Sequence, residues 1–314
     1  MKRRWMLLGA ALLLAGGVAA TGAESAITVL DVPPGVSRIG SGGAGLSLVS
    51  GAETIYYNPA GLSGLAGISF SSFYSSYLGA ASYSAFALAL KNFGVAAMLL
   101  NSGSIDGYDE DGNATADISF SNTAFVFSFG IDAATIPFLK SLPPTLSFGA
   151  AIKGLTAKVG ADAGSGFTLD LGFRGGLPAF GSFVTDGAFA VTLGSIFGVV
   201  SYDDVENRFP MDLAVGASAR LLGSVVVAAD LHLAGGSRLG VTYEPVPTLA
   251  LRAGLMTDGG LQITAGVGLD VQGFLIDYAF VSHSLGGSHR VGLTLDFSAL
   301  DIGALGQSLR RILP

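Results

Sequence analysis

The chain has 314 residues, a formal net charge of −7 and a mean hydropathy of +0.59, with 50% hydrophobic residues, 12% charged residues and 47 glycines. That balance is too apolar for an ordinary soluble domain and too rich in glycine for a helical one, and it offers no basic surface to nucleic acid. The absence of cysteine excludes thiol catalysis, disulfides and thiolate metal sites.

Residues 1–23 have the layout of a cleaved secretory signal. Lys2, Arg3 and Arg4 precede the apolar run Leu7–Val18, and small residues then allow cleavage after Ala20 or Ala23. A run of about a dozen residues falls short of the roughly 20 that a spanning helix needs. Residues 24–66 carry few charges beyond Glu24, Asp31, Arg38 and Glu53, so this Gly/Ser/Ala-rich segment is expected to fold back into a lumen as a hatch. Within it, "GSGGAG" (Gly40–Gly45) has a dinucleotide-binding spacing, but no βαβ unit surrounds it, and a flexible or closely packed turn is expected instead. Asn58-Pro59 favours a turn, and Gly61 allows a tight reversal into the first strand.

Ile68–Leu90 holds no charge and could span a bilayer as a helix, but its serines, tyrosines and the break at Leu78-Gly79 point to a hairpin of two strands. Downstream the period is two. In "GFTLDLGFRGG", Phe167, Leu169, Leu171 and Phe173 oppose Thr168, Asp170 and Arg174; in "MDLAVGASARLL", Met211, Leu213 and Val215 oppose Asp212, Ser218 and Arg220. The same holds for Leu231 against Asp230 and His232, Leu251 against Arg252, Leu269 against Asp270, Phe274 and Ile276 against Asp277, and Val291 against Arg290. Alternating segments of about ten residues, divided by Gly/Asp/Pro turns, are the signature of a transmembrane β-barrel. A soluble sandwich would carry far more Lys and Glu on its polar phase, and in hydrocarbon only a closed sheet leaves no backbone group unpaired.

The expected fold is therefore all-β: an antiparallel transmembrane barrel of about 14 strands over 67–297. Approximate strand limits are 68–77, 81–90, 93–102, 117–130, 145–158, 166–176, 187–200, 209–222, 223–234, 236–245, 248–257, 260–270, 273–283 and 287–297. An even count returns both ends to the periplasmic side and turns the acidic stretch 103–116 and the loop 201–208 outward. Leu169, Phe173, Leu231, Leu251 and Phe274 are expected to face lipid. The expected lumenal polar network comprises Asp170, Arg174, Arg220, Asp230, Arg252, Asp270, Asp277 and Arg290, joined by Lys153, Asp212, Arg238 and Glu244, because isolated charges in a narrow barrel must pair or be solvated. Residues 298–314 form a short periplasmic helix or tail, with Leu300, Leu305, Leu309 and Ile312 near helical spacing.

No catalytic constellation is present: there is no G-x-S-x-G, HExxH or Walker motif, and no enzyme, cofactor or metal is expected. The loop "IDGYDEDGNATAD" gathers Asp106, Asp109, Glu110, Asp111 and Asp117 without EF-hand spacing, as an acidic surface loop would. His232, His283 and His289 lie on separate segments and suit lumenal hydrogen bonding better than metal ligation.

The stretch "GGAGLSLVSGAETIYYNPAGLSGL" resembles the N-terminal hatch of FadL-like outer-membrane proteins, especially their PorV/PorQ-type branch. The closing strands agree, with D-Y-A-F at Asp277–Phe280 and L-G-x-x-H-R at Leu285–Arg290, whereas 17 residues follow Phe297, where such barrels often stop. The resemblance implies a 14-stranded barrel in the bacterial outer-membrane lipid, occluded by a hatch whose gate residues here are Tyr57, Asn58, Pro59, Ala60, Gly61 and Leu62. It implies a channel for hydrophobic small molecules such as long-chain fatty acids. The PorV-type alternative is an accessory of protein secretion with secretion-system partners.

Overall fold

The computed structural model describes residues 28–109, 111–160, 162–202, 205–284 and 286–298, so the signal expected at 1–23 and the helix or tail expected after 298 lie outside the described residues. Fifteen strands form one sheet: β1 (Ser69–Tyr77), β2 (Ala81–Leu90), β3 (Phe93–Ile105), β4 (Ile118–Asp132), β5 (Leu146–Val159), β6 (Asp162–Leu177), β7 (Val184–Tyr202), β8 (Val205–Arg208), β9 (Asp212–Leu221), β10 (Val225–His232), β11 (Gly236–Val246), β12 (Leu249–Met256), β13 (Gln262–Val271), β14 (Phe274–His283) and β15 (Gly286–Asp296). All pairings between these strands are antiparallel, β7 pairs with β9, and β15 returns to pair with β1, closing a ring of 14 strands. The expected strands are all present. The rim where β1 begins and β15 ends is called proximal below, and the opposite rim distal.

Two details correct the sequence expectation. The loop 201–208 is not irregular throughout: β8 is a fifteenth strand that folds back on the distal end of β7 through Val199–Tyr202. The strand expected from 209 begins instead at Asp212, because Pro210 has no N–H to give a ladder, while the Phe209 N–H donates to the Gly198 carbonyl at 3.0 Å. Ile68–Leu90 is a hairpin, and no helix among the described residues is long and apolar enough to cross a membrane.

The pleat divides each strand between two environments. On β4, Phe125, Phe127 and Phe129 point outward and are exposed, while Asn122, Ala124 and Val126 point inward and are buried. On β14, Ile276 is 52% exposed and its neighbour Asp277 only 3%. Phe86, Leu88, Ile152, Ile263, Leu269 and Val291 continue an apolar belt that hydrocarbon accepts and water does not.

The core of the molecule is consequently the lumen, and residues 28–66 fill it. They form α1 (Ser37–Gly40), α2 (Thr54–Tyr57) and a 3₁₀ turn (Pro59–Gly64) linked by tight bends. Val36 lies against Gly292 of β15 and α1, with Ile39, against β12–β14, while Val29, Ile55 and Leu62 join the cluster that holds Tyr83, Ala85, Ala96, Met98 and Val126 of β2–β4. Here the inward phase is small or apolar, which is why β1–β3 alternate only faintly in sequence. Closer approach needs glycine: a Cβ at Gly130, Gly149 or Gly172 would fall on Pro59, Ala60 or Asn58.

The belt gives a direct test. Leu251, 44% exposed beside inward Arg252, should tolerate arginine poorly: Leu251→Arg is expected to cost about 2–4 kcal/mol in urea unfolding from lipid. An unchanged unfolding free energy would place Leu251 away from the hydrocarbon.

Candidate functional site

Short helices satisfy few of their own backbone groups, so the hatch draws its partners from inward side chains of the wall. Asp230 Oδ2 accepts the N–H groups of Gly45 and Leu46 at 2.6 and 3.1 Å. Thr264 Oγ1 accepts from Gly42 N–H at 2.9 Å and donates to the Gly40 carbonyl at 3.1 Å. Arg290 donates to the carbonyls of Pro33 and Gly35, and its guanidinium lies over the Phe73 and Tyr83 rings at 5.9 and 5.8 Å. Arg174 donates to the Ser47 carbonyl at 2.8 Å, Tyr83 donates to that of Val32, and Asn122 accepts from Val29 N–H.

Inside the hatch, Glu53 ties the segment together by accepting Val36 N–H at 2.8 Å and the Ser37 hydroxyl. Tyr57 donates to the Pro34 carbonyl at 2.8 Å; burial, with a smaller contribution from Glu53, pushes this phenol well above its ordinary range and keeps the donor proton in place. Asn58 uses its whole side chain. Its Nδ2 donates to the carbonyls of Leu46 and Phe173 at 3.0 and 3.1 Å, and its Oδ1 accepts Ala60 N–H at the start of the 3₁₀ turn. Gly61 serves packing, not a reversal: a Cβ there would lie 2.6 Å from Thr54 Cγ2. "GSGGAG" is a closely packed turn, with Gly42 and Gly43 at φ of 71° and 70°.

The structure separates the expected lumenal charges instead of joining them in one network. Lys153–Asp170, Arg252–Asp277 and Arg220–Glu244 are discrete pairs at 2.5, 2.6 and 2.5 Å. Asp230, Arg174 and Arg290 hold hatch backbone, and Asp270 accepts Gly273 N–H in a proximal turn. Tyr83, Asn122 and Thr264, neutral residues that the charge pattern could not reveal, share the same work. Asp109 organises the acidic loop around itself, accepting the N–H groups of Asp111 and Asn113 and the Asn113 side chain, and no group of three metal-ligating residues occurs among the described residues.

Two cavities flank the hatch. The proximal one, about 340 Å³, is polar and lined by Arg38, Glu53, Arg220, Glu244, Arg252 and Asp277 among others. The distal one, about 250 Å³, lies between the hatch face formed by Leu30, Pro34, Leu46 and Tyr56 and the wall from β5 to β11. Its wall includes Gly194 and Ser195 of β7, at the most irregular point of the ring. There each two-residue step on β6 (Phe167, Leu169, Leu171) faces three residues on β7 (Val199, Ile196, Leu193), so β7 carries two extra residues. Ser195 and Phe197 take φ of 57° and 55°, rare for residues with a side chain, and Phe197 stands outside the ring. β7 leaves β9 at Gly194 and meets β8 only from Val199. Asp170 fixes the bulge from within by accepting Ser195 N–H at 3.0 Å.

No protein-family profile matches the chain, and no curated protein matches it. Solved structures do. The Pseudomonas putida toluene transporter TodX is similar at 15% identity and a TM-score of 0.53, over 85% of this chain and 98% of that one. The Ralstonia pickettii toluene transporter TbuX gives 13% and 0.52, over 83% and 97%. A Pseudomonas aeruginosa FadL homologue gives 9% and 0.54, over 83% and 98%. At these identities the likeness is one of fold alone, and it does not single out the PorV/PorQ-type branch.

Removing Asp230 tests the hatch attachment. Asp230→Ala leaves two buried N–H groups without their acceptor, each worth roughly 1–3 kcal/mol. The urea midpoint should fall accordingly while heat-modifiable barrel still forms on gels. Arg220→Ala, at a part-exposed pair, should shift the midpoint far less. Equal effects would contradict a hatch held by its buried ties.

Proposed function

We propose that the protein is an outer-membrane channel for hydrophobic small molecules, with residues 24–66 as a movable hatch. The observation that carries this reading is the position of the distal cavity, pressed against the two-residue bulge of β7. A lipophile in the distal cavity need not cross the hatch into the proximal one. Sideways, through a wall where the ladder lapses, it reaches hydrocarbon directly. A shift of the hatch widens the distal cavity toward Ser195, and the cargo leaves beside Phe197.

Size sets the cargo. An apolar cavity of about 150 Å³ already holds benzene, so 250 Å³ takes one ring or a short chain with the hatch in place. A long-chain fatty acid is admitted once the hatch has moved. The toluene transporters among the similar structures support the first class and the FadL homologue is compatible with the second. The residues Tyr57, Asn58, Pro59, Ala60, Gly61 and Leu62 act as the floor of this gate, and no chemical step is required of them. An accessory role in secretion would need a protein-binding rim beside the occupied lumen; a cavity beside a weakened wall supports passage of small molecules instead.

The chain contains no cysteine, so a hatch lock can be introduced cleanly. A Cβ at Gly40 would lie 3.6 Å from Ala279 Cβ, within the range of about 3.5–4.5 Å that a disulfide spans. In cells expressing Gly40→Cys with Ala279→Cys, uptake of radiolabelled toluene or oleate should fall on oxidation and return on reduction. Deleting Ser195 and Phe197 should depress uptake with the barrel intact. If the locked and bulge-deleted proteins both transport normally, the movable hatch and the exit beside β7 fail; uptake no higher than in cells lacking the protein overturns the channel reading, and blocked export of surface proteins in a deletion strain with normal lipophile uptake would favour the secretion role.

A further inference from the structure

His232 has no part in holding the hatch, yet it lines the distal cavity with its side chain only 10% exposed. Its Nδ1 lies 2.6 Å from Asp212 Oδ2, and the other oxygen of Asp212 accepts Ala234 N–H at 3.2 Å. A carboxylate at that distance places a proton on Nδ1 and fixes the ring's orientation. The opposite nitrogen, Nε2, is buried and has no hydrogen-bond partner among the described residues. The phenol oxygen of Tyr56, on the hatch side of the same cavity, is also buried without one. Buried polar atoms are ordinarily satisfied, and two orphans on facing walls of one cavity call for a common partner.

The rest of the lining limits what that partner is. Lys153 is paired with Asp170, and Arg238 with Asp258 at 2.6 Å, so the cations of the cavity are already neutralised. Leu30, Pro34, Leu46, Phe209 and Pro210 supply apolar surface around them. We infer that His232, positioned by Asp212, is a recognition residue for small apolar molecules that bear a hydroxyl, such as a phenol or an alcohol. A hydroxyl donates to a bare Nε2 and accepts from a protonated one, so it satisfies the ring in either state, and it can meet the Tyr56 phenol equally well. A methyl group in the same place leaves Nε2 unpaired, and a site built around a buried hydrogen-bonding group discriminates against an analogue that lacks the partner. The inference rests on the channel reading and narrows it.

Phenol and toluene differ by one hydroxyl for one methyl and serve as the probes. The full chain in detergent, labelled with nitrogen-15 histidine, gives signals from His232, His283 and His289 that single His→Gln replacements assign. Entry of either probe is followed separately by nuclear Overhauser contacts to the methyls of Leu46, which is buried on the hatch side of the cavity. Phenol is expected to shift the His232 Nε2 resonance and to bind at least about tenfold more tightly than toluene. His232→Leu should lower phenol affinity to that of toluene, and Asp212→Asn should weaken phenol binding by less. If the histidine variant does not fold, the nitrogen shift in the unmodified protein decides by itself. Contacts to Leu46 from both probes with equal affinity and no Nε2 shift overturn the hydroxyl preference and leave the channel standing. Absence of contacts from either probe overturns the channel reading and this inference with it.

Discussion

A glycine-rich peptide buried inside a barrel must find partners for its backbone, and the wall around it is arranged to that end. Only short helical pieces occur in the hatch, so most of its N–H and C=O groups lack intrahelical partners. Their partners are single inward side chains: Asp230 for two N–H groups, Arg290 for two carbonyls, Thr264 for one of each. Burying charges such as these is unfavourable unless each is fully engaged, and here the engagement is with the peptide itself. The arrangement reverses an ordinary barrel lumen, in which charges pair with one another.

Both halves of the ring hold the hatch. β1–β6 give shape-fitted contact along Ile55, Leu62 and the 3₁₀ turn and bind its backbone through Ser69, Tyr83, Asn122 and Arg174. β9–β15 bind its backbone through Asp230, Thr264 and Arg290 and bring Gly240, Gly254 and Gly266 close to Gly40–Gly42. Between these halves lies β7, where two extra residues relax the ladder, and the distal cavity opens at that seam. The hatch is thus tied on both sides of the ring, with the cavity and the bulge at one edge of it.

How much of this was legible in the sequence follows from what each element must do. Strands with lipid outside and charge inside, such as β14 with Ile276 beside Asp277, announce their phase. β1–β3 do not, because their inward residues meet an apolar hatch and both phases are uncharged. The β7 bulge left only a weak mark: Gly194 and Gly198 flank the adjacent apolar pair Ile196-Phe197, which breaks the period of two. β8 was hidden because it extends one hairpin arm by four residues and adds nothing to the ring. The N-P-A-G-L turn was visible as a unit, but its attachments to Leu46 and Phe173 are long-range and could not be read from neighbouring residues. The alternation puts these charges on the non-apolar phase of their strands; their division between ion pairs and hatch ties depends on which of them face the peptide, and that is a property of the closed barrel.

The central claim is that the hatch moves as a unit within a wall that stays closed. Hydrogen–deuterium exchange of the membrane-reconstituted protein, with and without saturating toluene, tests it most directly. The account predicts faster exchange at Val36, Gly42, Gly45 and Leu46 when toluene is present, with the amides of β1 and β10–β15 unchanged. Exchange that is unaltered in the hatch, or that rises in hatch and strands together, would contradict it.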